Sequence, residues 1–384
     1  MESGRSPVPL IPLYVRNCQV RAKPNEIVVI CRDPVRNLDL LRAAAVLLVV
    51  FAHLFGLGPD WEQKGEFALH RMGLLGVLIF FVHTSLVLMM SLERLMQEYS
   101  DAAFSYWRNV ARSFYVRRFF RIYPLAVVVV LGVTLLKIPA DPFFTYRRLS
   151  MVRLAANLAL MQNLIVSSDA IGPLWSLPWE VQMYITLPLL FLLAKRGQIT
   201  SLAAVAAAAI AANTCGIALG IRGVRVLNFA PCFISGVLAY TLIRRTRPTL
   251  PAWLWPCTLA AMGALLIVPP LSWAEQEIFW GYWAICIVLG ALIPRFEDLR
   301  PSLLTRTTHK IAQYSYGIYL FHVPAIWLAY DRLRGLGSVA SAITFVVVTA
   351  GLSVAAYHLL EHPLIEFGKR MTAVKTAQRA AQPV

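Results

Sequence analysis

Apolar residues occur in this chain in long, nearly continuous runs. Residues 38–57, 74–90 and 122–136 are dominated by aliphatic and aromatic side chains. Each run approaches the ~20 residues that an α-helix needs to cross ~30 Å of hydrocarbon. Helices of soluble proteins keep one polar face toward water, and these runs have no such face. The pattern therefore predicts helices that span a membrane.

Ten such runs follow one another along the chain. They predict an all-α integral membrane protein, a bundle of about ten transmembrane helices, flanked by a basic N-terminal arm over 1–37 and a C-terminal tail over 361–384. The transmembrane domain between them covers 38–360. The predicted spans lie at about 38–58, 72–91, 118–137, 174–194, 199–220, 225–243, 252–271, 278–294, 311–330 and 338–360.

The segment 138–173 is the hardest part of this map to interpret. It contains three arginines, followed by an apolar stretch over 154–165 that is short for a span. We interpret this stretch as an interfacial or re-entrant helix. If it crossed the membrane instead, the orientation of every later span would be inverted.

Composition and charge support a membrane location. Hydrophobic residues make up 58% of the chain and charged residues 15%, which excludes an ordinary soluble domain. Most of the 36 Lys and Arg residues fall in the two terminal segments and in alternate loops. Since cytoplasmic loops retain Lys and Arg, both termini are predicted to lie on the cytoplasmic side of the cell (inner) membrane.

The same distribution makes nucleic acid unnecessary as a partner. The net charge of +16 is explained as a topology signal, and the lipid bilayer is the expected environment. The six cysteines show no spacing typical of a metal site, so no metal is expected.

Ionisable residues within the spans carry the functional information, because each is costly in hydrocarbon. Arg42 and His53 lie in the first span, separated by eleven helical positions. Eleven positions are about three full turns, so both side chains share one helical face, ~16 Å apart along the axis. The sequence predicts a polar stripe with a cation at one end and an imidazole at the other.

A carboxylate in another span has a similar depth. Glu180 is ~9 Å and His53 ~8 Å from the same membrane boundary by helical rise. A carboxylate beside an imidazole fixes its tautomer and raises its basicity, so we predict a base and its orienting acid. His322, ~12 Å from that boundary, is a second candidate.

Two arginines mark the start of the third span. Arg118 and Arg121 are three positions apart and share a helical face. They are interpreted either as anchors that enforce topology or as ligands for phosphate, which guanidinium groups bind through paired donors.

Six motifs, in this order, resemble those of the acyltransferase type 3 family, and together they cover about 36–370. The motifs are Arg36-Asn-Leu-Asp39-Leu-Leu-Arg42 with the gap to His53, Gly76-Val-Leu-Ile-Phe80-Phe81-Val82, Arg118-Phe-Phe-Arg121-Ile-Tyr-Pro124, Trp175-Ser176-Leu177-Pro178-Trp179-Glu180, Tyr314-Ser315-Tyr316-Gly317-Ile-Tyr319-Leu-Phe-His322 and Glu361-His-Pro363.

The resemblance implies an enzyme that moves an acyl group, most often acetyl in this family, from cytoplasmic acyl-CoA to a hydroxyl of an extracytoplasmic glycan or related acceptor. It implies that Arg42, Arg118 and Arg121 bind the phosphates of acyl-CoA. His53 would act as general base or as covalent acyl carrier, oriented by Glu180. The further candidate residues are Ser176, Tyr319, His322 and His83.

The chain departs from the family pattern in two spans. His83-Thr84-Ser85 stands where the family usually has Leu-Ser-Gly, and Pro178 and Val181 replace a usual Ser and a usual acid. His83 is interpreted either as a third pore-lining group or as a packed, hydrogen-bonded histidine.

The alternative function is a transporter or flippase without acyl-transfer chemistry. The intramembrane Arg, His and Glu residues would then relay protons or substrate. Transporters often have paired halves with broken helices in matching positions, and no such symmetry is visible in this sequence.

Overall fold

The structure is a computed structural model in which residues 18–23, 26–31, 36–56, 63–99, 106–141, 145–165, 168–196, 199–221, 227–243, 245–267 and 275–373 are described. Within these residues the chain forms one β-hairpin and a bundle of α-helices. The helices are α1 Arg36–Gly56, α2 Gln63–Glu98, α3 Tyr106–Leu135, α4 Met151–Leu158, α5 Leu177–Lys195, α6 Ile199–Ala218, α7 Ala230–Ile243, α8 Trp255–Ile267, α9 Glu275–Leu292, α10 Leu303–Ile326, α11 Ser338–Ala356 and α12 His362–Met371.

Each of the ten predicted spans overlaps one of these helices, and the all-α membrane fold is confirmed. The predicted positions 57–58, 225–226 and 268–271 lie outside the described residues. Among the described helices, six are long and apolar enough to cross a membrane, and three more apolar helices are shorter. The six are Arg36–Gly56, Ala68–Glu98, Tyr106–Leu135, Gly172–Lys195, Ile199–Ala218 and Ser338–Met371.

The helix α10 is also long, but it is not among these six. It carries the buried polar side chains Thr305, Thr308, Ser315 and His322. It packs against α1 and α11 within the bundle. Its polarity therefore belongs to the interior of the protein, where helices meet each other rather than lipid.

The segment between α3 and α5 contains the short helix α4. Eight residues extend only ~12 Å, which is too short to cross a bilayer. Asn157 ties the segment to itself, since its amide donates to the Ser168 carbonyl (3.0 Å) and its oxygen accepts from the Ala170 N–H (2.8 Å). This geometry favours the interfacial or re-entrant interpretation over a further crossing.

Besides α4, a hairpin and a helix of the terminal segments lie outside the predicted spans. An antiparallel hairpin of β1 Cys18–Lys23 and β2 Glu26–Cys31 lies in the N-terminal arm. In the C-terminal tail, α12 packs closely on α3. The approach is so close that a Cβ at Gly368 would lie 2.9 Å from the Phe120 ring. These short elements lack the apolar length on which the sequence-based map depends.

The close approach of α1 and α2 determines how α1 presents its polar face. A Cβ at Gly76 would lie 2.5 Å from the Ala45 carbonyl oxygen and 2.9 Å from a Val49 methyl group. Only glycine permits this separation. Arg42 on α1 lines the same cavity as His83 and Thr84 on α2, so the close contact of the two helices also brings their polar side chains together.

Candidate active site

Arg42 lies near the start of α1 and is held by α10. Its Nε donates to Ser315 Oγ at 2.6 Å, and Ser315 in turn donates to the Ala312 carbonyl at 2.8 Å. Ala312 and Ser315 are both on α10, so this second hydrogen bond lies within one helix. Within the described residues the guanidinium is therefore oriented through Nε by one hydroxyl, which leaves Nη1 and Nη2 available to a ligand.

The two arginines of α3 have different surroundings. Arg121 Nη1 is 2.6 Å from Glu361 Oε2, and its guanidinium lies 5.8 Å from the centre of the Tyr316 ring. The Nε of Arg118 is buried and has no hydrogen-bond partner among the described residues. Arg121 is thus already neutralised by a buried carboxylate, whereas Arg118 keeps an unused donor.

Glu180 lies in the first turn of α5, close to these arginines. Its carboxylate accepts a hydrogen bond from the Tyr184 hydroxyl one turn later on the same helix. Glu180 and the three arginines line one cavity of about 80 Å³, which we call the arginine cavity. Its other polar lining residues are His83, Thr84, Ser176, Tyr184, Ser315, Tyr316 and Tyr319.

Ser176 and Tyr319 form a hydrogen-bonded pair at one wall of the arginine cavity. Their hydroxyl oxygens are 2.7 Å apart, and the Tyr319 hydroxyl lies 2.8 Å from the Pro173 carbonyl. A carbonyl only accepts, so Tyr319 donates to Pro173 and Ser176 donates to Tyr319. The pair ties the turn Gly172–Ser176 to α10.

His83 also reaches the arginine cavity. Its side chain is 4% exposed, and Nδ1 has no hydrogen-bond partner among the described residues. The interpretation as a pore-lining group therefore agrees with its position, although His83 is also well packed.

His53 and His322 lie together at a separate position. Their ring centroids are 5.0 Å apart in an edge-to-face arrangement. The Nδ1 of His53 donates to the Val49 carbonyl at 2.9 Å, and the Nδ1 of His322 donates to the Ile318 carbonyl at 3.1 Å. Each Nε2 of the neutral ring is consequently an acceptor, and the Nε2 of His322 has no hydrogen-bond partner among the described residues.

Aromatic side chains connect the arginine cavity to the pair of His53 and His322. Tyr319 lines the arginine cavity, and its ring centroid is 6.2 Å from that of His322. His322 in turn contacts His53. A path of polar side chains therefore runs from the arginine cavity to the His53 imidazole.

The predicted pairing of Glu180 with His53 differs from the structure. Glu180 bonds to Tyr184 and lines the arginine cavity, while His53 is oriented by a backbone carbonyl and lies against His322. Helical rise gives the depth of a residue, but not its direction around the helix axis. Two groups at similar depth therefore pointed into different parts of the bundle.

Sequence reasoning did not assign a role to Glu361 or Asp141. Glu361 belongs to a motif noted in the sequence, but only the tertiary structure brings it to Arg121. Asp141 lies near His53 because both approach Gly172: a Cβ there would be 3.3 Å from Asp141 Oδ1 and 3.9 Å from His53 Nε2. No sequence signal marks Asp141.

Comparison with known proteins agrees with this geometry. The acyltransferase domain model matches residues 35–358, most of the chain. The chain belongs to the acyltransferase type 3 family. This membership confirms the resemblance found in the motifs, and the protein is a multi-pass membrane acyltransferase.

Two curated relatives cover most of the chain. The acyltransferase MdmB of Streptomyces mycarofaciens is 25% identical over 358 residues, which are 82% of this chain and 87% of that protein. Nodulation protein 10 of Rhizobium leguminosarum bv. viciae is 26% identical over 375 residues, 88% of this chain and 95% of that protein. No solved structure matches.

Proposed function

We propose that this acyltransferase transfers an acyl group, most often acetyl, from cytoplasmic acyl-CoA to a hydroxyl of an acceptor on the other side of the membrane. One observation carries the proposal: three arginines line a cavity at one end of a polar path, and an imidazole whose Nε2 is an acceptor lies at the other end. Family membership supplies the reaction class.

The arginine cavity is suited to the anionic part of the donor. Guanidinium groups bind phosphate oxygens through paired, charge-assisted hydrogen bonds. Arg118 has an unused buried donor, and Arg42 is bonded through Nε to one hydroxyl, so both support this role. The small volume of the cavity favours entry of a slender thioester arm, with the phosphates held at its mouth.

His53 is proposed as the reacting residue. Its Nε2 lone pair would remove the proton from the acceptor hydroxyl, whose oxygen then attacks the thioester carbonyl carbon. The C–O bond forms, the C–S bond breaks, and the sulfur of CoA takes a proton. An alternative for the same residue is covalent catalysis, in which Nε2 carries the acyl group before the acceptor attacks.

Glu180, Tyr319 and Ser176 receive different roles in this proposal. Glu180 would balance the positive charge around the donor and position Tyr184, instead of orienting His53. Ser176 and Tyr319 would position the Gly172–Ser176 turn that lies beside His53.

The membrane orientation is part of the proposal. The distribution of Lys and Arg supports cytoplasmic termini in the cell membrane, with the arginine cavity open to the cytoplasm and His53 near the outer side. Labelling of single cysteines in intact cells would test it. Labelling of a cysteine in the tail 374–384 by an impermeant reagent would overturn the orientation.

The reaction itself is tested with purified protein in detergent. Incubation with acetyl-CoA should release free CoA, detected by mass spectrometry, and His53→Ala should release little. A transporter or flippase would leave acetyl-CoA intact, which would overturn the proposal. Mass spectrometry of surface glycans from cells with and without the gene would then identify the acceptor.

A further inference from the structure

A second cavity opens beside the short helix α4. It has a volume of about 440 Å³ and is lined by residues from the end of α3 and the segment that follows. We call it the loop cavity. Its charged lining residues are Asp141, Arg147, Arg148, Arg153 and Asp169.

The loop cavity adjoins the His53 imidazole. The Gly172 N–H donates to the carbonyl of Ala140, a lining residue, at 2.9 Å. Asp141 Oδ1 and His53 Nε2 approach Gly172, within 3.3 Å and 3.9 Å of the point where a Cβ would lie. A molecule in the loop cavity therefore lies one side-chain layer from the proposed base.

The charge of the loop cavity favours an anion. Three arginines face two carboxylates, and none of the three forms an ion pair with any residue in the described ranges. Under the proposed orientation these arginines are on the outer side, where Lys and Arg are normally depleted. Guanidinium groups match phosphate geometry, so a phosphate group accounts for their presence.

Exposed apolar side chains flank the same cavity. Leu135 and Leu136 follow the lining residue Thr134 and are 78% and 70% exposed. Met151 and Val152 precede the lining residue Arg153 and are 81% and 70% exposed. Such side chains are unfavourable in water but stable against lipid tails, which places the mouth of the cavity at the membrane surface.

We propose that the loop cavity binds the acceptor, and that the acceptor is a membrane-resident amphiphile carrying a phosphate group near its hydroxyl-bearing head. This inference rests on the proposed function. The arginines bind the phosphate, the apolar tail lies along Leu135, Leu136, Met151 and Val152, and the head reaches past Asp141 to His53. Arg147, Arg148 and Arg153 are binding residues for this acceptor.

Binding is tested without acyl-CoA, by thermal unfolding of the protein in a neutral maltoside detergent with increasing decyl phosphate. Decyl phosphate should stabilise the protein with a saturating concentration dependence. The variant Arg147→Gln, Arg148→Gln, Arg153→Gln should need at least about tenfold more decyl phosphate, in line with the loss of charged hydrogen bonds. A matched variant with three other exposed arginines changed, Arg306→Gln, Arg334→Gln, Arg370→Gln, should respond like the wild type.

Two further probes separate the parts of the inference. Decanol and inorganic phosphate should each have little effect at the concentrations at which decyl phosphate saturates. Equal stabilisation by inorganic phosphate would overturn the inference that the ligand has an apolar tail. Equal stabilisation by decanol would overturn the inference that the ligand carries a phosphate group. An unchanged response of the loop-cavity variant would overturn the site.

The inference and the proposed function fail in distinguishable ways. Release of CoA from acetyl-CoA is measured on the same wild-type preparation. Binding of decyl phosphate without CoA release would overturn the proposed function, and with it the role of this ligand as acceptor. CoA release without decyl phosphate binding would overturn only the acceptor class proposed here.

Discussion

The two ends of the polar path satisfy their polar groups in different ways. At the arginine end, Arg121 is 2.6 Å from a carboxylate oxygen of Glu361, a side chain that is 1% exposed. At the histidine end, His53 and His322 bond through Nδ1 to carbonyls of their own helices, and His322 Nε2 has no partner within the described part of the chain. One end holds paired charges, and the other holds two imidazoles that are oriented by backbone carbonyls.

This difference agrees with the separation of Arg42 from the proposed base His53 along α1. A cation close to a general base would oppose protonation of that base. Arg42 and His53 lie ~16 Å apart on the helix, so the proposed phosphate site and the proposed base do not disturb each other. The slender part of the donor would bridge that distance.

The largest expected effect comes from removing the proposed base. His53→Ala should lower acyl transfer by roughly 10²- to 10⁴-fold, the usual contribution of a general base. The protein should remain folded, since His53 is only partly buried and its Nδ1 bonds to a carbonyl of its own helix. His358→Ala, at an exposed imidazole, is the control and should keep normal turnover. Turnover of His53→Ala within tenfold of wild type would remove His53 from the chemistry.

A smaller effect is expected from the arginines of α3. Arg118→Lys with Arg121→Lys should weaken acyl-CoA binding by roughly 10- to 100-fold, because Lys keeps the charge but loses the paired donors. The exposed pair Arg108→Lys, Arg112→Lys on the same helix is the control.

The single variants sharpen this test. Arg121 is already paired with Glu361, whereas Arg118 has an unused donor, so Arg118→Lys should account for most of the loss. Affinities are measured for CoA and for dephospho-CoA. Unchanged affinity of the double variant for both ligands would leave the two arginines as topology anchors only.

A third prediction separates the two ends through Glu180. If Glu180 oriented His53, Glu180→Gln would mainly lower kcat. Because Glu180 lines the arginine cavity, we expect the substitution to change KM for acyl-CoA by about tenfold and kcat much less. Steady-state kinetics with varied acyl-CoA distinguish the two outcomes, and a large fall in kcat at constant KM would restore the orienting role.

The smallest effect concerns stability in the loop segment. Burial raises the pKa of Asp169 from 3.8 to about 6. A hydrogen bond from Gln162 acts against this rise, and the nearby Asp141 carboxylate adds to it. Ionisation of Asp169 is therefore unfavourable in the folded state. Its cost is absent below about pH 4, grows as pH rises and is complete above about pH 6.

Asp169→Asn should remove this pH dependence. The variant is expected to be more stable than wild type by on the order of 2 kcal/mol above pH 6.5, with the difference vanishing near pH 4. Thermal unfolding in detergent between pH 4 and pH 7.5 measures it, with Asp331→Asn as the control. A constant difference across this range would show that titration of Asp169 is not the cause.

The sequence by itself determined the membrane class and the location of the helices. Apolar length is the direct signal of a membrane helix, and each of the ten predicted spans overlaps a helix of the structure, six of them long and apolar enough to cross a membrane. The common face of Arg42 and His53 likewise followed from helical periodicity. The short elements of the terminal segments, a hairpin and α12, lack that apolar signal and were not predicted.

Contacts between spans were decided only by the tertiary structure. Glu180 and His53 have similar depth, yet the rotation of α5 turns Glu180 toward the arginines, and α10 brings His322 to His53. Such rotations depend on packing at points such as Gly76, where α1 and α2 nearly touch. Periodicity along one helix contains no information about the rotation of another, which is why the partners of His53 could not be read from the sequence.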